Sequence, residues 1–126
     1  MSKLIGRIIR AKYKSSYEKN PVTTTDHYII IGEHTGGFVT AAYFEEYMVD
    51  DGEDWPRVAL NDPTGDCFRG VLLNLANLEH SLGEGYISAY VTTADDFAEW
   101  VRRENKLAEK PTLLYPDVLV KALTDR

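Results

Sequence analysis

The sequence predicts an α+β fold: a mainly antiparallel sheet of about four strands, with two longer helices and a short C-terminal helix packed on one face of it. Three observations predict it. Strand-like runs separated by glycine-rich or polar turns fill the first half, and amphipathic helical spacing dominates the second. Between residues 85 and 109 a strand is delivered straight into a helix. A chain of 126 residues with 44% hydrophobic content supports one core, burying roughly two-thirds of its unfolded surface, so residues 1–126 read as a single domain.

Residues 3–13 form the first expected strand. From Ile8 onward it alternates, with Ile9, Ala11 and Tyr13 on one side and Arg10, Lys12 and Lys14 on the other. Ser15, Ser16, Asn20 and Pro21 mark a loop. Residues 27–31 and 38–43 read as the second and third strands, joined by a hairpin turn through Gly32, Gly36 and Gly37. Tyr28, Ile29, Ile30 and Ile31 are apolar on both faces, the pattern of a central, doubly covered strand.

Residues 45–54 hold six acids in ten positions and read as a solvated loop, followed by a short strand at 57–60 and a turn at 61–65. A helix is expected from Asp66 or Cys67 to Leu82, because Val71, Leu72, Leu75, Leu78 and Leu82 recur along it and Gly83 follows as its stop. Residues 86–91 alternate again, Ile87, Ala89 and Val91 against Tyr86, Ser88 and Tyr90.

The next helix is the best marked. Thr93 caps its first turn, Asp96 stands three residues on, and Phe97, Ala98 and Val101 form its apolar stripe, widened by Trp100 and Leu107. Acids precede bases along its axis, as the helix dipole favours, and its expected end is Lys110-Pro111. Pro116 opens a last short helix through Val118, Leu119, Ala122 and Leu123.

Net charge is −6, unevenly spread: residues 1–20 carry six bases against Glu18, and residues 21–68 carry ten acids against Arg57. Overall acidity argues against direct nucleic-acid binding, since a phosphate backbone needs a basic face. Cys67 is the single cysteine, which excludes an intramolecular disulfide. No continuous apolar run marks a signal peptide or membrane span, so a cytoplasmic protein without membrane contact is expected.

Chemistry is sparse. His27, His34, His80 and Cys67 lack the spacing of a metal site, and the acids from Asp50 onward miss the glycine and glutamate positions of a calcium loop. Residues 32–37 lack the strand-to-helix context of a phosphate loop. Cys67 and His80, on one expected helix, stand too far apart to act together. No metal, cofactor or catalytic residue is assigned, and the residues favour a non-enzyme.

The favoured expectation is a binding protein that occupies or inhibits a macromolecular partner, most readily a protein, in the manner of immunity proteins or phage anti-defence inhibitors. Its contact surface would be acidic and aromatic: Glu45, Glu46, Tyr47, Asp50, Asp51, Glu53, Asp54 and Trp55. The alternative is a homo-oligomer that sequesters a nucleotide-like anion through Arg7, Arg10, Lys12, Tyr13 and Tyr17. A homodimer suits that alternative, with the short C-terminal helix from Pro116 to Leu123 as its contact.

Overall fold

A computed structural model describes residues 4–15, 21–49, 57–60 and 70–124. Its first four strands in chain order are β1 (Ile8–Lys14), β2 (Thr23–Glu33), β3 (Phe38–Phe44) and β4 (Glu46–Val49). There follow β5 (Arg57–Leu60), β6 (Val71–Asn74), α1 (Leu78–Leu82), β7 (Tyr86–Thr92), α2 (Ala94–Glu104), β8 (Thr112–Leu114) and α3 (Asp117–Thr124).

The α+β class and the antiparallel main sheet are as expected, but that sheet has five strands, in the order β6-β3-β2-β1-β7, and a second sheet of order β4-β5-β8 accompanies it. Every neighbouring pair in the main sheet is antiparallel, and β5 with β8 is parallel. The central position of β2 follows from its composition, since His27, Tyr28, Ile29 and Ile30 are buried in succession and demand cover on both faces.

That cover comes from helices on both faces rather than one. Ile8, Ile29, Ala42 and Phe44 pack with Phe97 and Val101 of α2, Leu119 of α3, and Val58 and Leu60 of the small sheet. On the opposite face Ile9, Tyr28, Ile30, Val39, Ala41 and Leu73 pack with Leu78 of α1. Each large side chain buried this way contributes about 1.5–3 kcal/mol.

Four further segments differ from the sequence expectation. Of the helix expected over 66–82, residues 66–69 lie outside the described residues, 71–74 form a strand paired with β3, a 3-10 turn spans Leu75–Asn77, and Leu78–Leu82 is α-helical. The free edge of β3 offers ladder hydrogen bonds that outweigh a leucine repeat, and the Asn74 side chain, accepting from Ala76 N–H, marks the change. Helix α2 ends at Glu104, well short of Lys110; Asn105 caps it and Lys106 takes a left-handed φ of 55°. Leu107 and Ala108 therefore lie beyond the helix. Within the acidic stretch, Glu46–Val49 form a strand rather than a loop, and Thr112–Leu114 form a further short strand.

The N-terminal strand begins at Ile8, not Lys3, and no helix among the described residues is long and apolar enough to cross a membrane.

Candidate functional site

The two faces of the main sheet place different chemistry in the same rung of strands. Register pairs Arg10 with His27, Arg10 with Tyr90, and His27 with Phe44, so Tyr90, Arg10, His27 and Phe44 run side by side across four strands. Helix α2 lies over this row. The Arg10 Nε donates to His27 Nε2 at 3.0 Å, its Nη1 donates to the Tyr90 hydroxyl at 3.0 Å, and Asp96 Oδ2 forms an ion pair with the same Nη1 at 2.9 Å. The guanidinium carbon stands 5.8 Å from the Trp100 ring centroid. Arg10 is therefore buried, unlike the exposed basic residue its alternation implied.

His27 is enclosed by Phe44, Phe97 and Trp100. Burial first, and the neighbouring Arg10 charge second, hold its pKa down at about 3 against the opposing charge of Asp96. A neutral ring that accepts at Nε2 carries its proton on Nδ1. This row is a structural tie between α2 and the sheet.

The other face carries the candidate site. On it stand Tyr13, Asp26, Tyr28, Tyr43 and Tyr86, gathered from β1, β2, β3 and β7. The Tyr86 hydroxyl donates to Asp26 Oδ2 at 3.0 Å. The Tyr28 and Tyr86 oxygens are also 3.0 Å apart; with the Tyr86 proton committed to Asp26, Tyr28 is the donor of that bond. The Tyr43 hydroxyl donates to Glu45 Oε1 at 3.3 Å. Edge-on ring contacts join Tyr13 to Tyr86 at 5.3 Å and Tyr28 to Tyr43 at 5.5 Å.

Tyr86 reaches this face through a bulge. Lys12 pairs with Ser88 but Tyr13 pairs with Tyr86, so Ile87 is left over, 56% exposed, and the alternation expected for residues 86–91 breaks there. A bulge re-aims the side chain beside it. Gly85 completes the arrangement: its φ is +98°, and a Cβ there would strike the Tyr13 ring.

Electrostatically the face is acidic with protonated phenols. Burial, then the charges of Asp26 and Glu45, push Tyr43 up to about 12. Burial also raises Tyr86, with the hydrogen bond it donates to Asp26 and that carboxylate's charge adding to the effect, and burial raises Tyr28. The charges of Asp26 and Glu45 both act on Tyr43, and each carboxylate accepts one tyrosine hydroxyl.

Glu45 is the single residue between β3 and β4, so the chain passes from this face directly into the acidic segment expected to bind a partner. Of that segment, Glu45 and Tyr47 are exposed, Tyr47 at 50%, and Glu46 is half-buried. Burial raises Glu46 against a backbone hydrogen bond that lowers it, and the charges of Glu45 and Glu104 add to the rise. Asp50, Asp51, Glu53, Asp54 and Trp55 lie outside the described residues, as do Tyr17 and Cys67.

The set expected to hold an anion is divided. Arg10 and Lys12 stand on the α2 face and Tyr13 on the tyrosine face, with Arg7 exposed ahead of β1. Asp26, Tyr28, Tyr43 and Tyr86 were assigned no role from sequence; the period-two pattern places Tyr28 beside Tyr43 only once the register is known, and nothing local marks the bulge that turns Tyr86. No family model, curated protein or solved structure matches the chain.

Proposed function

We propose that the protein is a non-enzymatic binding protein that acts by occupying a macromolecular partner, and that it recognises a basic segment of a protein partner. The single observation that carries this reading is that Asp26 and Glu45 each accept a tyrosine hydroxyl on a sheet face walled by Tyr13, Tyr43 and Tyr86. Each carboxylate takes one tyrosine hydroxyl and keeps acceptor sites for further donors. Arginine and lysine side chains supply such donors, and their cations are attracted by tyrosine ring faces, at about 0.5–1 kcal/mol where exposed. Aromatic residues held on rigid strands lose little entropy on binding, which suits an interface better than flexible acids alone.

Exposed Glu45 and Tyr47, next along the chain, support an extended contact surface. Its acidity also favours rapid encounter with a basic partner. Calorimetric titration with a nona-arginine peptide tests the reading. The double variant Asp26→Asn, Glu45→Gln is expected to bind at least about tenfold more weakly, a change of about 1.4 kcal/mol. Equal affinity in the double variant and the parent overturns it.

A further inference from the structure

The main sheet ends on one side at β6, and the geometry of that edge points to a second copy of this chain as its partner. We propose that two chains pair antiparallel through β6, about a twofold axis normal to the sheet that passes beside Leu72, to give one continuous ten-stranded sheet.

The backbone direction comes first. Asn74 N–H donates to Ser81 Oγ at 3.0 Å, and Phe38 C=O accepts from His34 N–H at 2.8 Å. Phe38 and Asn74 are paired in the β3–β6 register, yet both turn these groups away from each other. Peptide groups alternate along a strand, so two residues earlier the N–H and C=O of Leu72 point away from β3, to the open edge. Among the described residues no strand pairs with that edge.

The side chains then select the occupant. The strand Val71-Leu72-Leu73-Asn74 has no charge, and Leu72 and Val71 are 62% and 43% exposed. Phe38, also exposed, shares Leu72's face, because Phe38 pairs with Asn74 and Thr40 with Leu72. Natural edges are blunted by lysine, proline or bulges; β7, the opposite edge, carries the bulge at Ile87, and β6 carries none of these. An uncharged edge offers a charged foreign strand nothing to read. A second β6 offers the same apolar pattern in reverse.

A twofold axis normal to the sheet keeps matching faces together, so Leu72 meets the second copy's Leu72 and Val71 meets the second copy's Leu73. Leu72 then exchanges two backbone hydrogen bonds with its counterpart, and the Phe38 and Leu72 side chains of both copies gather astride the axis. Ser81, which occupies the edge at Asn74, limits the pairing to these three residues. So small a contact gives a reversible dimer.

Light scattering across a dilution series from micromolar to millimolar reads the mass. The parent is expected to pass from monomer to dimer, and Leu72→Lys to stay monomeric with an unchanged far-UV spectrum. A cross-link reads the geometry: hydrogen-bonded antiparallel partners have Cα atoms about 5.5 Å apart, within disulfide range. In a Cys67→Ser background, Leu72→Cys is expected to oxidise to a covalent dimer much faster than Glu79→Cys on exposed α1. A parent that stays monomeric throughout, a dimer that survives Leu72→Lys, or equal cross-linking rates for the two cysteines overturns the proposal.

Discussion

Arg10 and His27 stand opposite one another on β1 and β2, and the guanidinium donates its Nε proton to the imidazole at 3.0 Å. A buried cation is thereby held against a histidine that serves as a neutral acceptor, while Asp96 from α2 supplies the compensating charge. This arrangement locks α2 onto one face of the sheet and leaves part of the other face, beyond α1, to the tyrosines.

The first prediction concerns acid stability. The His27 pKa falls from 6.5 to about 3 on folding. The unfolded chain therefore binds the proton more readily, and the contribution of neutral His27 is complete above pH 6.5 and drains away as pH falls toward about 3. The slope from this one group is at most about 1.4 kcal/mol per pH unit. Thermal melts between pH 5 and 7.5 are expected to show the parent losing stability as pH falls. His27→Gln, which keeps an acceptor without titrating, is expected to be nearly flat over that window; parallel curves would contradict this.

At the alkaline end the sign reverses. Tyr43 is raised from 10.0 to about 12, so the phenol's contribution is complete below pH 10 and is lost as pH climbs toward 12. Ultraviolet titration is expected to show late phenolate ionisation whose amplitude falls by one tyrosine in Tyr43→Phe, with Tyr28 and Tyr86 still titrating late.

The ion pair to α2 is testable by a double-mutant cycle. Asp96→Asn leaves Arg10 buried without its countercharge and is expected to cost about 1–3 kcal/mol in chemical denaturation. Adding Arg10→Met should recover part of that loss, because the stranded charge is then gone. Strict additivity of the two substitutions would contradict the coupling.

Gly85→Ala is expected to destabilise by about 1–3 kcal/mol, since alanine is strained at a φ of +98° and its Cβ would displace the Tyr13 ring. The Tyr13 ring resonances should shift with it. An unchanged melting temperature would show that the close packing of Tyr13 on Gly85 is dispensable.

What was legible in the sequence follows from how local each signal is. Thr93 as cap, Asp96 in the first turn and the Phe97–Val101 stripe are neighbours in the chain, and α2 starts where they say. The hairpin of β2 and β3 was readable from Gly36 and Gly37, both with positive φ. The burial of Arg10 was not, because it depends on Asp96, which comes from another element entirely. The strand at 71–74 was hidden by a leucine spacing that suits a helix, and only the open edge of β3 decides the matter. The candidate site was hidden most deeply, since Asp26 and Tyr86 meet through register and a bulge that no local pattern announces.

The measurement that bears most directly on the proposed binding face is a nitrogen-15 NMR titration of the protein with nona-arginine. Amide shifts are expected to concentrate at Tyr13, Asp26, Tyr43, Glu45 and Tyr86, and Glu79→Gln with Glu109→Gln, an equal change of charge at exposed positions elsewhere, is expected to leave the affinity unchanged. Shifts centred away from those five residues, or an equal loss of affinity in the Glu79, Glu109 variant and the Asp26, Glu45 variant, would contradict the proposed face.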